Sequence, residues 1–234
     1  MNYNICLIGN RQNPFLFPLL KNFSKNKINI SNIILEKKPF SKKDHLIFKS
    51  RVNSNFKCEY LEKMKEFKTK IIIVEDLNSF QTSKIISKLK IDWITQMGTN
   101  KIFSDNLMNS SKYGIINCHS GILPNFRGCS AVEWSILLDF PIGASTHIVE
   151  SKIDSGKIIK IEKMKIQKFK SYKDLRTKVL NFQIDQLSKC LRFIDKHKLK
   201  PSNFKKLDLK ESYYFKPINN TLLKLVKKKI NLIY

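Results

Sequence analysis

The sequence predicts an α/β domain built on a doubly wound, mostly parallel sheet. Short apolar runs that end at turn residues alternate with amphipathic segments of helical length, a pattern typical of repeated strand–helix units. The length of 234 residues fits one domain with a small appendage. Polar side chains follow several of the apolar runs. Because ligands bind beyond the carboxyl ends of the strands in such sheets, these polar positions form the candidate site.

Four strands and two helices are predicted in the first hundred residues. The apolar runs that predict strands cover 4–8, 28–35, 71–75 and 92–97. A helix is predicted to begin at Asn13-Pro14, because Pro suits an early helical position, and the periodicity of 78–90 predicts another. The segment from Glu36 to about Lys70 is rich in Lys and Ser, mixed in pattern and partly helical, and its role stays open.

The rest of the chain continues the alternation and ends in a short tail. A long amphipathic helix is predicted over 171–197. In the tail, two apolar runs surround Asn219-Asn220, and this pattern predicts a hairpin. The other predicted elements are strands over 113–119, 143–150 and 157–166, and a helix over 131–138.

Composition limits the class of protein. Hydrophobic residues make up 42% and charged residues 27%, which indicates a globular rather than a disordered chain. No apolar run approaches the roughly 18 residues that span a bilayer, and the first residues do not resemble a secretory signal. The five cysteines never form a CxxC pair, which predicts reduced thiols in a cytoplasmic protein without a zinc site.

The net charge of +25 points to an anionic partner such as nucleic acid, a membrane surface or a phosphorylated substrate. The basic residues are mostly Lys and are spread along the chain rather than clustered. We therefore interpret the charge mainly as a property of the solvated surface. It is compatible with a phosphate-bearing small substrate, and nucleic acid and membrane are not the expected partners.

A polar pair ends the strand predicted over 113–119. The sequence IINCHSGILPNFRG places Asn117 and His119 two residues apart, so both side chains lie on one face of the strand end. Cys118 between them points to the opposite face and is predicted to be a core residue rather than a nucleophile. A single His at a strand end is more often structural than catalytic, so the pair needs further support.

That support comes from two motifs, NxHxxxLPxxRG beginning at Asn117 and GxSTHxVxxxxDxG beginning at Gly143. Together they resemble the 10-formyltetrahydrofolate-dependent formyltransferase family. The resemblance implies a Rossmann-like catalytic domain over 1–198. It also implies a short extension over 199–234, with a helix and a hairpin through which two subunits form a homodimer.

The resemblance implies a catalytic role for Asn117, His119 and Asp154, and the chemistry of these side chains agrees with it. Formyl transfer to an amine develops an oxyanion, which the Asn117 amide is suited to stabilise. The amine must lose a proton, and an imidazole with an ordinary pKa of about 6.5 can move it. A carboxylate at Asp154 would orient the His119 ring. Neither a metal nor a covalent nucleophile is needed.

The resemblance also implies where 10-formyltetrahydrofolate binds and which residues contact the acceptor substrate. The folate is expected in a cleft, mostly on backbone groups of Gln96, Met97, Gly98, Leu123, Ile153 and Asp154. Arg11 and Arg127 are candidates for binding substrate phosphates, because a guanidinium can bind them bidentately. Arg127 has the alternative of holding its loop to a carboxylate. Thr146 and His147 are expected to line the site, or His147 to hydrogen-bond locally.

Among the acceptors that the family uses, the sequence favours an amino sugar carried on a nucleoside diphosphate. The loop GNRQNPF lacks the glycine-rich phosphate cradle expected of a glycinamide ribonucleotide enzyme. The tail is too short for the domain that methionyl-tRNA formyltransferases append. We expect a substrate such as dTDP-4-amino-4,6-dideoxyglucose, used in the biosynthesis of surface polysaccharide such as O-antigen. The alternatives are a phosphoribosylglycinamide formyltransferase, then a methionyl-tRNA formyltransferase, or, from another class, a non-catalytic, basic RNA-binding module on the same fold.

Overall fold

The structure, a computed structural model, describes residues 2–51, 65–67, 69–99, 101–165 and 168–233. The strands in this part of the chain are β1 (Ile5–Asn10), β2 (Ile30–Glu36), β3 (Lys70–Val74), β4 (Trp93–Gln96), β5 (Ile115–His119), β6 (Arg127–Gly128), β7 (Gly143–Ile148), β8 (Ile158–Lys163) and β9 (Tyr214–Phe215). The helices are α1 (Leu16–Lys25), α2 (Lys42–Arg51), α3 (Phe80–Lys88), α4 (Asp105–Met108), α5 (Ala131–Leu137), α6 (Tyr172–Lys196) and α7 (Asn220–Ile233). Every strand and helix predicted before the tail is found, with small shifts at the ends.

Seven strands form one sheet in the order β3-β2-β1-β4-β5-β7-β8. The first five strands are parallel, whereas β7 runs antiparallel to β5 and β8 antiparallel to β7. The strand order changes direction at β1, because β2 and β3 lie on one side of it and β4 and β5 on the other. The predicted α/β class with a doubly wound, mostly parallel sheet is confirmed.

Apolar side chains cover both faces of the sheet and keep its strands in register. On one face, α1 and α6 pack on residues such as Trp93 and Ile116, and Leu187 and Leu191 of α6 are fully buried there. On the other face, α3 packs through Ile86. Burying each such side chain contributes about 1.5–3 kcal/mol. The carboxyl edge of the sheet is therefore a rigid base for the polar residues that follow β1, β4 and β5.

The hairpin predicted around Asn219-Asn220 is wrong. Asn219 instead caps helix α7, since its Oδ1 accepts a hydrogen bond from the backbone N–H of Leu222 at 2.9 Å. An Asn pair suits a hairpin turn and a helix start equally well, and the helical spacing of the apolar residues behind it decides between the two. Val226 and Ile230 share one helical face and are fully buried against α5.

The tail contacts the rest of the fold in a second way. Strand β9 pairs in parallel with β6, with Tyr214 beside Arg127 and Phe215 beside Gly128. The tail thus reaches the loop that follows the polar pair of β5. The division of the chain at residue 198 stays a prediction, as does the cytoplasmic location. None of the helices in the described residues is both long and apolar enough to cross a membrane.

Candidate active site

Strands β4, β5 and β7 bring three polar side chains together at the carboxyl edge of the sheet. Gln96 is the register partner of Asn117, and Asn117 in turn is the partner of His147. Residues paired in this way share a face of the sheet, so their side chains are neighbours. The alternation of side chains along β5 adds His119 to the same face.

The carboxamide of Asn117 is hydrogen-bonded at both of its ends. Its Oδ1 accepts from Gln96 Nε2 at 2.5 Å, and its Nδ2 lies 3.2 Å from Nε2 of His147. An amide nitrogen carries two hydrogens. One hydrogen on Nδ2 is engaged by His147, which leaves the other for an oxyanion at this half-buried position.

The two ring nitrogens of His119 face different partners. Nε2 lies 2.6 Å from the carbonyl oxygen of Phe126, which can only accept, so Nε2 carries a hydrogen. Nδ1 lies 3.4 Å from Oδ2 of Asp154. Nδ1 is therefore the position at which the ring gains or loses a proton, and the charge that results faces a carboxylate.

Asp154 lies on a loop after β7, with its backbone in the left-handed region at φ 49°. Its Oδ2 accepts from the backbone N–H of Gly128 at 2.9 Å, and its Oδ1 is 3.4 Å from His147 Nε2. Burial opposes ionisation, whereas the charge of His119 and the backbone N–H of Gly128 favour it. The pKa of Asp154 therefore lies well below its usual range.

Arg127 makes the contacts of a loop anchor. Its Nε and Nη2 donate to the carbonyl oxygen of Ile153 at 2.9 and 2.8 Å, and its Nη1 donates to Ser212 Oγ at 3.3 Å. The guanidinium therefore holds the residue before Asp154 and ties it to the tail. These contacts are similar to the alternative role considered for Arg127, that of holding its loop in place, except that the partner is a carbonyl rather than a carboxylate.

Arg11 comes directly after β1, and β1 lies next to β4 in the sheet. Arg11 is therefore at the same carboxyl edge as the polar cluster. Its Nε is buried, and no hydrogen-bond acceptor for it is found among the described residues. A buried donor without a partner is costly, which fits a position that receives an anionic ligand.

The residues expected to hold the folate surround the cluster, though their polar groups are partly engaged. The carbonyl of Met97 accepts from Asn13 Nδ2 at 2.7 Å, and the N–H of Leu123 donates to Ser145 Oγ at 3.0 Å. Gly98 has φ 68° and packs against the ring of Phe15. The side chain of Gln96 points to Asn117.

The expectation that Thr146 lines the site is wrong. Thr146 is the register partner of Cys118, on the face opposite to Asn117, and its side chain is fully buried. The reason is the pairing of β7 with β5. His147 is paired with Asn117 and faces the site, whereas Thr146 before it is paired with Cys118 and faces away. Burial raises the pKa of the Cys118 thiol to about 12, so this thiol is not a nucleophile.

Ser145 is a site residue that the sequence analysis missed. Its hydroxyl donates to the carbonyl of Gly121 at 2.7 Å and accepts from the N–H of Leu123 at 3.0 Å. It thereby holds the loop that follows His119. The sequence did contain a signal for it. Ser145 precedes His147 by two residues in β7, and side chains two residues apart in a strand share a face.

The assembled site has an amide donor, an imidazole that faces an ionised carboxylate, and a second imidazole between the amide and the carboxylate. No group of three or more metal-ligating side chains is found in the parts of the chain that the structure covers. An amide donor beside a proton-transfer pair suits a reaction in which an oxyanion develops while a nucleophile loses a proton. The arrangement therefore suits the transfer of a group at an acyl-type carbon.

Comparison with known proteins identifies the family. The sequence model described as "Formyl transferase" matches residues 4–191, and the chain belongs to this family. It is 31% identical over 140 residues to the bifunctional polymyxin resistance protein ArnA of Wigglesworthia glossinidia brevipalpis, covering 58% of this chain and 21% of that protein. It is 25% identical over 122 residues to the methionyl-tRNA formyltransferase of Finegoldia magna, covering 52% and 39%. The alignments thus span well under half of these relatives.

Solved structures share the fold. A sugar N-formyltransferase from Shewanella sp. superposes with a TM-score of 0.63 at 16% identity, over 93% of this chain and 78% of that one. The glycinamide ribonucleotide transformylase 1 of Symbiobacterium toebii gives 0.65 at 15% identity, over 88% and 94%. These structures show the fold, and the family model matched over residues 4–191 confirms the predicted membership of the formyltransferase family.

Proposed function

We propose that this protein is an N-formyltransferase that moves a formyl group from 10-formyltetrahydrofolate to the amine of a nucleotide-linked amino sugar. The observation that carries the proposal is the cluster of Asn117, His119 and Asp154, with Asp154 held ionised between two imidazoles. Membership of the formyl transferase family supports the formyl-transferring class and the folate donor.

The chemistry assigns one task to each side chain. 10-Formyltetrahydrofolate supplies the formyl carbon, and the acceptor amine forms the new C–N bond as the bond to N10 breaks. Asn117 Nδ2 donates to the formyl oxygen as negative charge develops there, an effect worth about 10²–10³ in rate for a comparable donor. His119 takes the amine proton at Nδ1 and returns it towards N10, typically worth about 10²–10⁴. Asp154 stabilises the imidazolium.

The folate is proposed to lie between the end of β4 and the Asp154 loop. Backbone groups of Met97, Gly98 and Ile153 would bind its pterin, with Gln96, Leu123 and Asp154 around them. The positive φ of Gly98 and the half-exposed position of Ile153 support an opening of the backbone to a ligand there.

Two observations support a nucleotide-linked amino sugar as the acceptor. Structural relatives include a sugar 3-N-formyltransferase solved in the presence of dTDP and 5-N-formyltetrahydrofolate. They also include an N-formyltransferase from Helicobacter canadensis in complex with folinic acid and dTDP-3-aminofucose. In this chain, the unpartnered buried Nε of Arg11 offers a contact to a diphosphate. A dTDP-4-amino-4,6-dideoxyhexose destined for surface polysaccharide is the specific substrate proposed.

A homodimer is part of the same proposal. Among the residues of the tail whose burial the structure describes, Tyr213, Tyr214 and Leu225 are apolar and more than half exposed. These give a second subunit a surface on the extension. The mass of the particle in solution, measured by light scattering, tests this part separately.

An acceptor screen tests the proposed activity. Release of tetrahydrofolate is followed with dTDP-4-amino and dTDP-3-amino dideoxyhexoses, UDP-amino sugars, glycinamide ribonucleotide and charged initiator tRNA. We expect turnover with one nucleotide sugar, lost in His119→Ala and kept in His197→Ala, which changes an exposed histidine at the end of α6. Turnover only with the ribonucleotide or tRNA would overturn the acceptor. Absence of turnover with every acceptor, despite folate binding, would overturn the proposed activity.

A further inference from the structure

Asn117 can stabilise an oxyanion only if its amide nitrogen, and not its oxygen, is presented to the developing charge. The two ends of a carboxamide have nearly the same shape, so packing alone does not choose between them. A reversed amide would place Oδ1, a site of negative charge, beside the oxyanion. Some feature of the site must therefore determine the direction of this side chain.

A chain of hydrogen bonds supplies that direction. It begins at the backbone N–H of Thr99, which donates to Gln96 Oε1 at 3.3 Å, while the Thr99 hydroxyl donates to the same oxygen at 2.7 Å. Because Oε1 is turned to Thr99, Nε2 of Gln96 is turned to Asn117, where it donates to Oδ1 at 2.5 Å. The Asn117 nitrogen is consequently directed away from Gln96 and towards His147.

The other end of the chain agrees. Nδ1 of His147 lies 3.1 Å from the carbonyl oxygen of Ile148, which can only accept, so Nδ1 carries the hydrogen. In the neutral ring Nε2 is then a bare acceptor, and Asn117 Nδ2 donates to it at 3.2 Å. Asp154 Oδ1 is farther from the same nitrogen, at 3.4 Å. This series of hydrogen bonds thus ends in a backbone N–H on one side, which can only donate, and in a backbone carbonyl on the other, which can only accept. Its direction therefore cannot be reversed.

The geometry points to Gln96 as a positioning residue that sets the direction of the Asn117 amide and so presents its nitrogen to the formyl oxygen. This inference rests on the proposed function for its consequence, though the direction of the chain stands on the hydrogen bonds alone. It also changes the role of Gln96, which was expected to contact the folate. The side chain is buried and directed at Asn117, so its loss should affect the rate rather than donor binding.

Gln96→Met tests the inference, because methionine is similar in size and shape but cannot donate. We expect kcat to fall about fivefold, the effect of one hydrogen bond, with the KM for the folate donor unchanged. Gln186→Met is the matched control. Gln186 is also buried and donates from Nε2, but to the backbone carbonyls of Ala144 and Lys160. This control should lose stability without losing kcat.

A double-mutant cycle separates positioning from a general packing effect. Asn117→Ala removes the donor that Gln96 orients, so Gln96→Met added to it should change kcat by less than about twofold. If the losses of the two substitutions simply multiply, or if Gln96→Met raises the KM for the donor and leaves kcat unchanged, Gln96 does not act through Asn117 and the inference is wrong.

A second measurement needs no substrate and is independent of the proposed activity. Long-range ¹H–¹⁵N spectra of the parent protein should show neutral His147 with its proton on Nδ1 and with Nε2 bare. A proton on Nε2 instead would mean that the hydrogen bonds through Asn117 run in the opposite direction. That result would overturn the inference even if formyl transfer is observed. Absence of turnover in the acceptor screen, with the expected tautomer, would overturn the proposed function alone.

Discussion

The backbone N–H of Gly128 donates to Oδ2 of Asp154 at 2.9 Å, the same oxygen that faces His119. Gly128 lies in β6, and β6 is paired with β9 of the tail. The carboxylate of the site is therefore held by a strand that the C-terminal segment itself supports. This relationship links the tail to the catalytic cluster and makes the backbone at Gly128 a sensitive position.

Gly128→Ala should reduce both stability and turnover. The residue has φ 91°, and an added Cβ would lie 2.4 Å from the carbonyl oxygen of Phe215 in β9. We expect about 2–3 kcal/mol of lost stability, from backbone strain and from the displaced strand, together with about a tenfold lower kcat. Chemical denaturation and steady-state kinetics measure the two effects.

Gly114→Ala is the matched control for that change. Gly114 has a similar φ of 99°, but its added Cβ would meet only Ile148 Cγ2, at an ordinary 3.6 Å. This variant should therefore lose only the stability that backbone strain costs, about 1 kcal/mol, and keep its turnover. Equal kinetic effects in the two variants would show that contact with β9 does not matter for the site.

Asp154→Asn should make the protein less stable near neutral pH, by an amount that shrinks as the pH falls below about 4. The folded-state pKa of Asp154 lies below its unfolded value, so the carboxylate stabilises the fold above the unfolded pKa of about 3.9. That contribution, about 2 kcal/mol for such a group, is lost as the pH falls through the folded pKa. Urea denaturation of both proteins between about pH 3 and 7 should show their difference shrinking in acid.

Asp139→Asn provides the comparison, because Asp139 is a mostly exposed carboxylate paired with Lys229. It should change stability little at any pH, as exposed pairs do. A difference between parent and Asp154→Asn that is independent of pH would mean that ionisation of Asp154 is not what stabilises the site. Asp154→Asn should also lower turnover by about 10²-fold, the lower end of what proton transfer by a positioned side chain contributes, because it removes the charge that stabilises the His119 imidazolium.

Arg127→Lys distinguishes a loop anchor from a phosphate ligand. Lysine cannot donate twice to the carbonyl of Ile153, so the Asp154 loop should loosen and kcat should fall about tenfold with every acceptor. Arg192→Lys, at an exposed position of α6, is the control. If the variant raises only the KM for a diphosphate-bearing acceptor, Arg127 binds phosphate and the anchoring role is secondary.

Cys118→Ala should keep turnover within about threefold of the parent, because the thiol lies on the opposite face of β5 and burial keeps it protonated. Cys129 is the exposed thiol among the described cysteines. Mass spectrometry after brief alkylation should therefore find Cys129 modified and Cys118 untouched. Labelling of Cys118 in the folded protein, or inactivity of the alanine variant, would contradict this arrangement.

The fold was predictable because its signals are local. Apolar runs such as that of β1 and the stripe of α6 depend on residues close in sequence, and the structure confirms both. The tail shows the limit of such signals. Asn219 suits a turn as well as a helix cap, and the outcome depended on whether Val226 and Ile230 had a surface on α5 to pack against.

Asn117 and His119 share one face of β5 and Cys118 lies on the other because side chains alternate along any strand, and this could be read from the order of the residues alone. Which atoms meet across the site could not, because that depends on tertiary packing. The contacts of His147, Thr146 and Gln96 depend on the register between strands distant in the chain, and a slip of one residue would turn every side chain to the other face. Those partners therefore depend on how the whole sheet packs.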